Sequence, residues 1–199
     1  MSKAVKAAAL ALLTIGLGPV MAGPVAAATA TATATARETA VAPEKNPPGD
    51  IPDSQVFIPY TSPSGFAMSV PEGWARADRA DGARFSDKYN IIDLAVSKAD
   101  QPPSAAIAKT REAAELQTGG HAVEIKSVKA VTLKSGPAVL ISYASNSDPN
   151  AVTNKQIRLE HARYLIFRNG TLVTLDLSAP LGADNVDQWQ LMSNSFRWQ

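Results

Sequence analysis

His121 and His161 are the only imidazoles in this 199-residue chain, and there is no cysteine. Thiolate nucleophiles, structural disulfides and cysteine-held metals are therefore excluded. No Gly-x-Ser-x-Gly elbow occurs to present a serine, so a Ser-His-Asp set would have to assemble from separate segments. Glu160 and His161 adjoin on a run that reads as a strand, and neighbours on a strand point to opposite faces. A zinc site from that strand alone is therefore not expected, and the alternative is a mixed His, Asp and Glu site drawn from several strands. The sequence names no catalytic residue, no metal ligand and no cofactor.

The run Gln156–Arg168 carries the strongest chemical suggestion. Ile157, Leu159, His161, Arg163, Leu165 and Phe167 share one of its faces by strand parity. An arginine and a histidine inside an apolar stripe are costly unless paired or wet. In one reading the helices leave that part of a sheet uncovered, or Arg163 pairs with a structural acid such as Asp176. In the other, His161 and Arg163 clamp a head group at the wall of a shallow apolar groove. The planar fork of arginine suits a carboxylate or phosphate, so that ligand would be a small anionic amphiphile.

The elements that must position these groups follow from periodicity. Alternation begins at Phe57-Ile58 and continues through Gly65–Val70, Ala83–Ser86 and Ile91–Lys98. Ser104 after two prolines predicts a helix N-cap, Gly119-Gly120 its stop, and Ile107, Thr110, Ala113 and Ala114 its inner face. Strands follow over Val123–Leu133, with a slip near Ser127 that suggests a bulge, and over Ala138–Ala144. Asn169-Gly170 between two alternating runs predicts a type I′ hairpin joining Gln156–Arg168 to Thr171–Ser178. Asn169-Gly-Thr171 also fits an N-glycosylation acceptor, but the turn already demands those residue types. A last helix, capped by Asp184, places Val186, Trp189, Met192 and Phe196 on one side. Strands linked by hairpins, with helices packed on them, predict an α+β fold around an antiparallel sheet.

The first 28 residues read as a secretory signal peptide. Lys3 and Lys6 precede an apolar run from Ala7 to Val20, and small residues crowd Ala22–Ala28. The run is shorter than the about 20 residues a membrane span needs and is broken by Gly16, Gly18 and Pro19. No other segment predicts a span. Residues 29–54, rich in Ala, Thr and Pro, predict a disordered linker. Without residues 1–28 the chain has 17 basic and 18 acidic residues, which offers nucleic acid no electrostatic footprint. A domain over 55–199 is long enough to bury roughly 70% of its unfolded surface.

Several short runs resemble the PsbP-like fold family, which includes the PsbP accessory proteins of photosystem II and LpqN-type bacterial envelope lipoproteins. They are Gly65-Phe66 followed by Val70-Pro71-Glu72-Gly73-Trp74, Phe85-Ser86-Asp87 leading into the strand 91–97, and Ser195-Phe196 after the closing helix. The resemblance spans about residues 55–199. It implies an α/β/α sandwich, an antiparallel sheet flanked by helices. Trp74, a large aromatic at a strand end after Pro-Glu-Gly, itself reads as a core plug, and Phe196 closes the same core from the last helix. It also implies a non-enzymatic module that binds an envelope protein or a small amphiphile. The lipobox cysteine of the lipoproteins is missing, so no lipid anchor is expected; the short, bacterial-style leader argues against a role at photosystem II. The resulting expectation is an exported protein of the bacterial cell envelope or extracellular space, and a secreted hydrolase is the alternative.

Overall fold

The computed structural model describes residues 38–199. The expected signal peptide and the repeat Thr29–Ala36 lie outside the described residues. Residues 38–54 depart from the linker expected there, because they lie against the domain. Ile51 is buried and its N–H donates to Asn185 Oδ1 at 2.6 Å, while Asn185 Nδ2 donates to Gly49 O at 2.9 Å. Composition misses this attachment because individual polar groups and one isoleucine, rather than an apolar stripe, make it.

Antiparallel pairing builds two sheets. A three-stranded sheet has the order β1 (Phe57–Ser62), β2 (Phe66–Pro71), β10 (Arg197–Trp198). A seven-stranded sheet runs β3 (Ala75–Arg79), β4 (Gly82–Asp87), β5 (Asn90–Lys98), β9 (Thr171–Pro180), β8 (Arg158–Arg168), β7 (Gly136–Asn146), β6 (Glu124–Leu133). The strands expected from alternation are present. β3 and β10 are additional, and neither could be read from a period: β3 (Ala-Arg-Ala-Asp-Arg) is exposed throughout and β10 is two residues long. The Asn169-Gly170 hairpin forms with both residues at positive φ (49° and 77°), as a type I′ turn requires. The register of β6 against β7 shifts between Ile125 and Ser127, where the slip in alternation placed a bulge.

The helical segment over 105–119 is two helices rather than one. Ser104 caps α1 (Ala105–Thr110) through Ile107 N, but Arg111 leaves ideal helical geometry (φ −104°, ψ −68°) before α2 (Glu112–Gly119). Ala108 and Ala113 face inward, whereas Ile107, expected inside, is 46% exposed. Thr110 and Ala114, also expected on the inner face, are exposed as well. At the other end α3 (Val186–Ser195) starts at Asn185, one residue after the expected cap, and presents Met192 with Gln188 and Ser193 inward. Val186, at its first turn, is exposed.

The two faces of the large sheet are covered differently. Phe66, Met68, Phe85, Leu94, Ile166, Leu175, Leu177, Met192 and Phe196 form the main core between the large sheet, the small sheet and α3. Trp74 packs against this core but is only partly buried, so it edges the core where a plug was expected. On the opposite face α1 and α2 pack over β6 and β7, with Ala108, Val123, Val139, Ile141, Leu165 and Leu172 as a smaller core. That pair of short helices spans only one side of a seven-stranded sheet. The half of this face toward β8, β9, β5 and β4 is where polar side chains collect.

Candidate functional site

Strand register assembles the polar cluster. Arg163 on β8 lies opposite Asp176 on β9, Asp176 opposite Asp93 on β5, and Asp93 opposite Arg84 on β4. One row along, Tyr143 on β7 faces His161, which faces Ser178. Side chains two residues apart on a strand share a face. His161 and Arg163 therefore stand on the side of the sheet that α1 and α2 leave partly open, as the parity of the β8 run predicts. Glu160 points the other way and accepts from Gly182 N at 3.1 Å.

Asp176 is the hub. Its Oδ2 accepts from Arg163 Nε at 2.6 Å and from the Tyr143 hydroxyl at 2.6 Å, and its Oδ1 lies 3.0 Å from His161 Nδ1. Tyr143 and His161 stack at 4.1 Å with planes 10° apart, which fixes the imidazole plane. The other ring nitrogen, His161 Nε2, is 2.8 Å from Ser145 Oγ. Burial alone would raise the Asp176 pKa, but the hydrogen bond and field of His161, the Arg163 charge and the Tyr143 hydroxyl outweigh it and hold it down at about 2. Burial, then the Asp176 charge, push the Tyr143 phenol well above its ordinary range. For Arg163, burial opposes the charged form, and the Asp176 carboxylate more than compensates.

The cluster floors a cavity of about 660 Å³. Its apolar wall comes from Ile91, Leu116, Val123 and Leu159; Arg84, Lys88, His121 and Asp148 also line it. Both sequence readings of Arg163 thus meet in one place. It pairs with Asp176, and it also lines a partly apolar cavity where the helices do not cover the sheet. Asp176 enters the site as the acid named from the sequence, while Tyr143 and Ser145 were missed. Alternation places the strand carrying Tyr143 over Ala138–Ala144, which leaves Ser145 outside it, whereas β7 runs on to Asn146. The long loop before β8 also leaves nothing in the sequence to set its register against His161.

The N-terminal segment closes one edge of this region. Glu38 Oε2 lies 2.6 Å from His121 Nδ1, and Glu38 Oε1 accepts from Asn146 Nδ2 at 2.9 Å and Gln156 Nε2 at 2.8 Å. Val41 N donates to Asn146 Oδ1 at 3.0 Å. These bonds, that of Asn146 first, lower the Glu38 pKa to about 2. A carboxylate depressed in the folded state favours the attached form above its unfolded pKa, and that contribution fades as pH falls from about 4.5 toward 2. Hydrogen-exchange protection at the Val41 amide is expected to fall over that window. In Glu38→Gln it should already be low at neutral pH and should lose that pH dependence.

Among the described residues no group of three or more His, Asp or Glu is arranged to hold a metal ion, and no helix is long and apolar enough to cross a membrane. No family model matches the chain, and no curated protein matches it. Among solved structures it is similar to cyanobacterial PsbP (CyanoP) from Synechocystis sp. PCC 6803, with a TM-score of 0.54 at 15% identity, covering 76% of this chain and 98% of that one. A looser likeness joins it to the Ran-binding protein Mog1p of Saccharomyces cerevisiae, with a TM-score of 0.46 at 11% identity over 73% of this chain and 96% of that one. At that distance the second likeness carries no argument. The first, over nearly the whole of that chain, shows the fold: the chain has a PsbP-like fold.

Proposed function

We propose that the protein is an exported binding module whose cavity takes a small anionic amphiphile. The observation that carries this reading is the pairing of a 660 Å³ cavity having an apolar wall with an arginine on its floor that keeps donors to spare. Arg163 gives Nε to Asp176, and its Nη2 lies a long 3.5 Å from the Tyr143 hydroxyl; its Nη1 has no protein acceptor among the described residues. A guanidinium held by one carboxylate and open on its other edge is oriented for a second, incoming one. Arg84 adds positive charge along the same row; it shares Asp93, at 3.6 Å, with Arg79, which holds that carboxylate at 2.6 Å and 3.0 Å. Ile91, Leu116 and Leu159 would receive the hydrocarbon part. Export and a place in the bacterial envelope are proposed from the leader pattern over residues 1–28.

Decanoate and decanol, which share a chain length and differ in charge, test the reading by calorimetry on the folded protein. Decanoate is expected to bind at least tenfold more tightly, a difference of about 1.4 kcal/mol. Arg163→Ala should remove that preference while decanol binding changes little. Equal affinity for the two probes in the wild type would overturn the proposal.

A further inference from the structure

Ser145, His161 and Asp176 form a hydrogen-bonded series drawn from three adjacent strands, β7, β8 and β9. Ser145 Oγ is 2.8 Å from His161 Nε2, and His161 Nδ1 is 3.0 Å from the Asp176 carboxylate. A carboxylate can only accept, so the neutral ring carries its proton on Nδ1 and leaves Nε2 free to take one from the serine. The stacked Tyr143 ring and the buried carboxylate hold the imidazole in that orientation. All three residues line the same cavity, beside Leu159 and Val123. A nucleophile within reach of a base, and the base oriented by a third group, is the arrangement that activates a hydroxyl.

From this geometry we infer that Ser145 is a nucleophile that accepts an acyl group from an activated acyl donor, an aryl ester or a thioester, bound in the cavity. This goes beyond ligand binding and does not depend on what Arg163 recognises. In the step, the Ser145 hydroxyl proton passes to His161 Nε2 as Oγ bonds to the carbonyl carbon. The bond from that carbon to the aryl oxygen or thiol sulfur then breaks, and the departing group takes the proton back from His161. His161 touches the reacting atoms; Asp176 is a positioning residue. The choice of donor follows from what the site lacks. The amide that follows the nucleophile, Asn146 N, is already bonded to His121 O at 2.8 Å. That amide is not available to an oxyanion, so the donors proposed are those whose leaving groups depart most readily.

The absence of cysteine makes a direct test clean. Ser145→Cys introduces the sole thiol of the chain, beside His161. A free thiol has a pKa of about 8.5, and a neighbouring imidazole lowers it. Iodoacetamide at pH 6 is expected to alkylate this variant at least tenfold faster than the double variant Ser145→Cys, His161→Gln. Adding Asp176→Asn should move the pH midpoint of alkylation up toward that of an unassisted thiol. In the wild type, p-nitrophenyl acetate should leave an acetyl group on the peptide containing Ser145. Equal alkylation rates with and without His161, or acetylation confined to lysines, would each overturn the inference.

Discussion

Asp176→Asn is expected to lower the melting temperature by about 6–12 °C, the largest effect of any substitution in the polar cluster. The replacement has nearly the same shape, so the loss is electrostatic. Asp176 is buried and receives Arg163 Nε, the Tyr143 hydroxyl and His161 Nδ1. An amide has one acceptor oxygen, and its NH₂ would face donors. Breaking a buried pair from one side costs about 3–5 kcal/mol because the surviving charge stays buried. Water reaches part of Arg163, whose side chain is 27% exposed, so the lower end, about 3 kcal/mol, applies. At roughly 2–4 °C per kcal/mol for a domain of this size, the stated range follows. Arg163→Ala should cost less, since Asp176 keeps Tyr143 and His161. A drop from Arg163→Ala equal to or larger than that from Asp176→Asn would show that the carboxylate is not the hub.

The same carboxylate sets an acid limit on the fold. Its pKa is depressed from an ordinary 3.8 to about 2, so its contribution is complete above about pH 4 and fades as pH falls toward 2. Wild-type stability should therefore decline more steeply than that of Asp176→Asn between those limits, and the two curves should converge at the acid end. Chemical denaturation at a series of pH values reads this directly.

How much of this site the sequence disclosed depends on which turn joins the strands. Asn169-Gly170 fixes a two-residue hairpin, and counting outward from it places Arg163 opposite Asp176 and His161 opposite Ser178. The Arg163–Asp176 pair is thus legible in the sequence. Tyr143 and Ser145 were not, because the loop between β7 and β8 leaves register to side-chain packing. The cavity is less local still, because its lining is drawn from α2 and from β4, β5, β7, β8 and β9 together. Composition failed for a different reason at residues 38–54. It averages over a segment, whereas individual groups attach it: the Glu38 carboxylate through His121, Asn146 and Gln156, and Gly49 and Ile51 through Asn185. The α+β class and antiparallel pairing came through because alternation and turns report them residue by residue.

On the other face of the large sheet, Phe196→Ala is expected to cost roughly 4 kcal/mol and to lower the melting temperature by about 8–16 °C. Phe196 is 1% exposed; its ring stacks on Phe66 at 5.1 Å and 19° and meets Trp198 edge-on at 5.3 Å. The residue before it takes part as well. Ser195 Oγ donates to Met192 O at 2.6 Å and accepts from Ser69 N at 2.8 Å, which pins the end of α3 to β2. The Gly-Phe and Ser-Phe runs that suggested the fold from sequence therefore meet in space as one joint between the first sheet and the last helix. Phe66→Ala should cost a similar amount, and the double variant should cost less than both together, by about 0.5–1.5 kcal/mol, because the two rings share a contact. This joint and the polar cluster lie on opposite faces of the seven-stranded sheet. While Phe196→Ala remains folded, Ser145→Cys made in that background should still alkylate at least tenfold faster than with His161 replaced. Loss of that ratio would mean that the two faces are coupled through the strands between them.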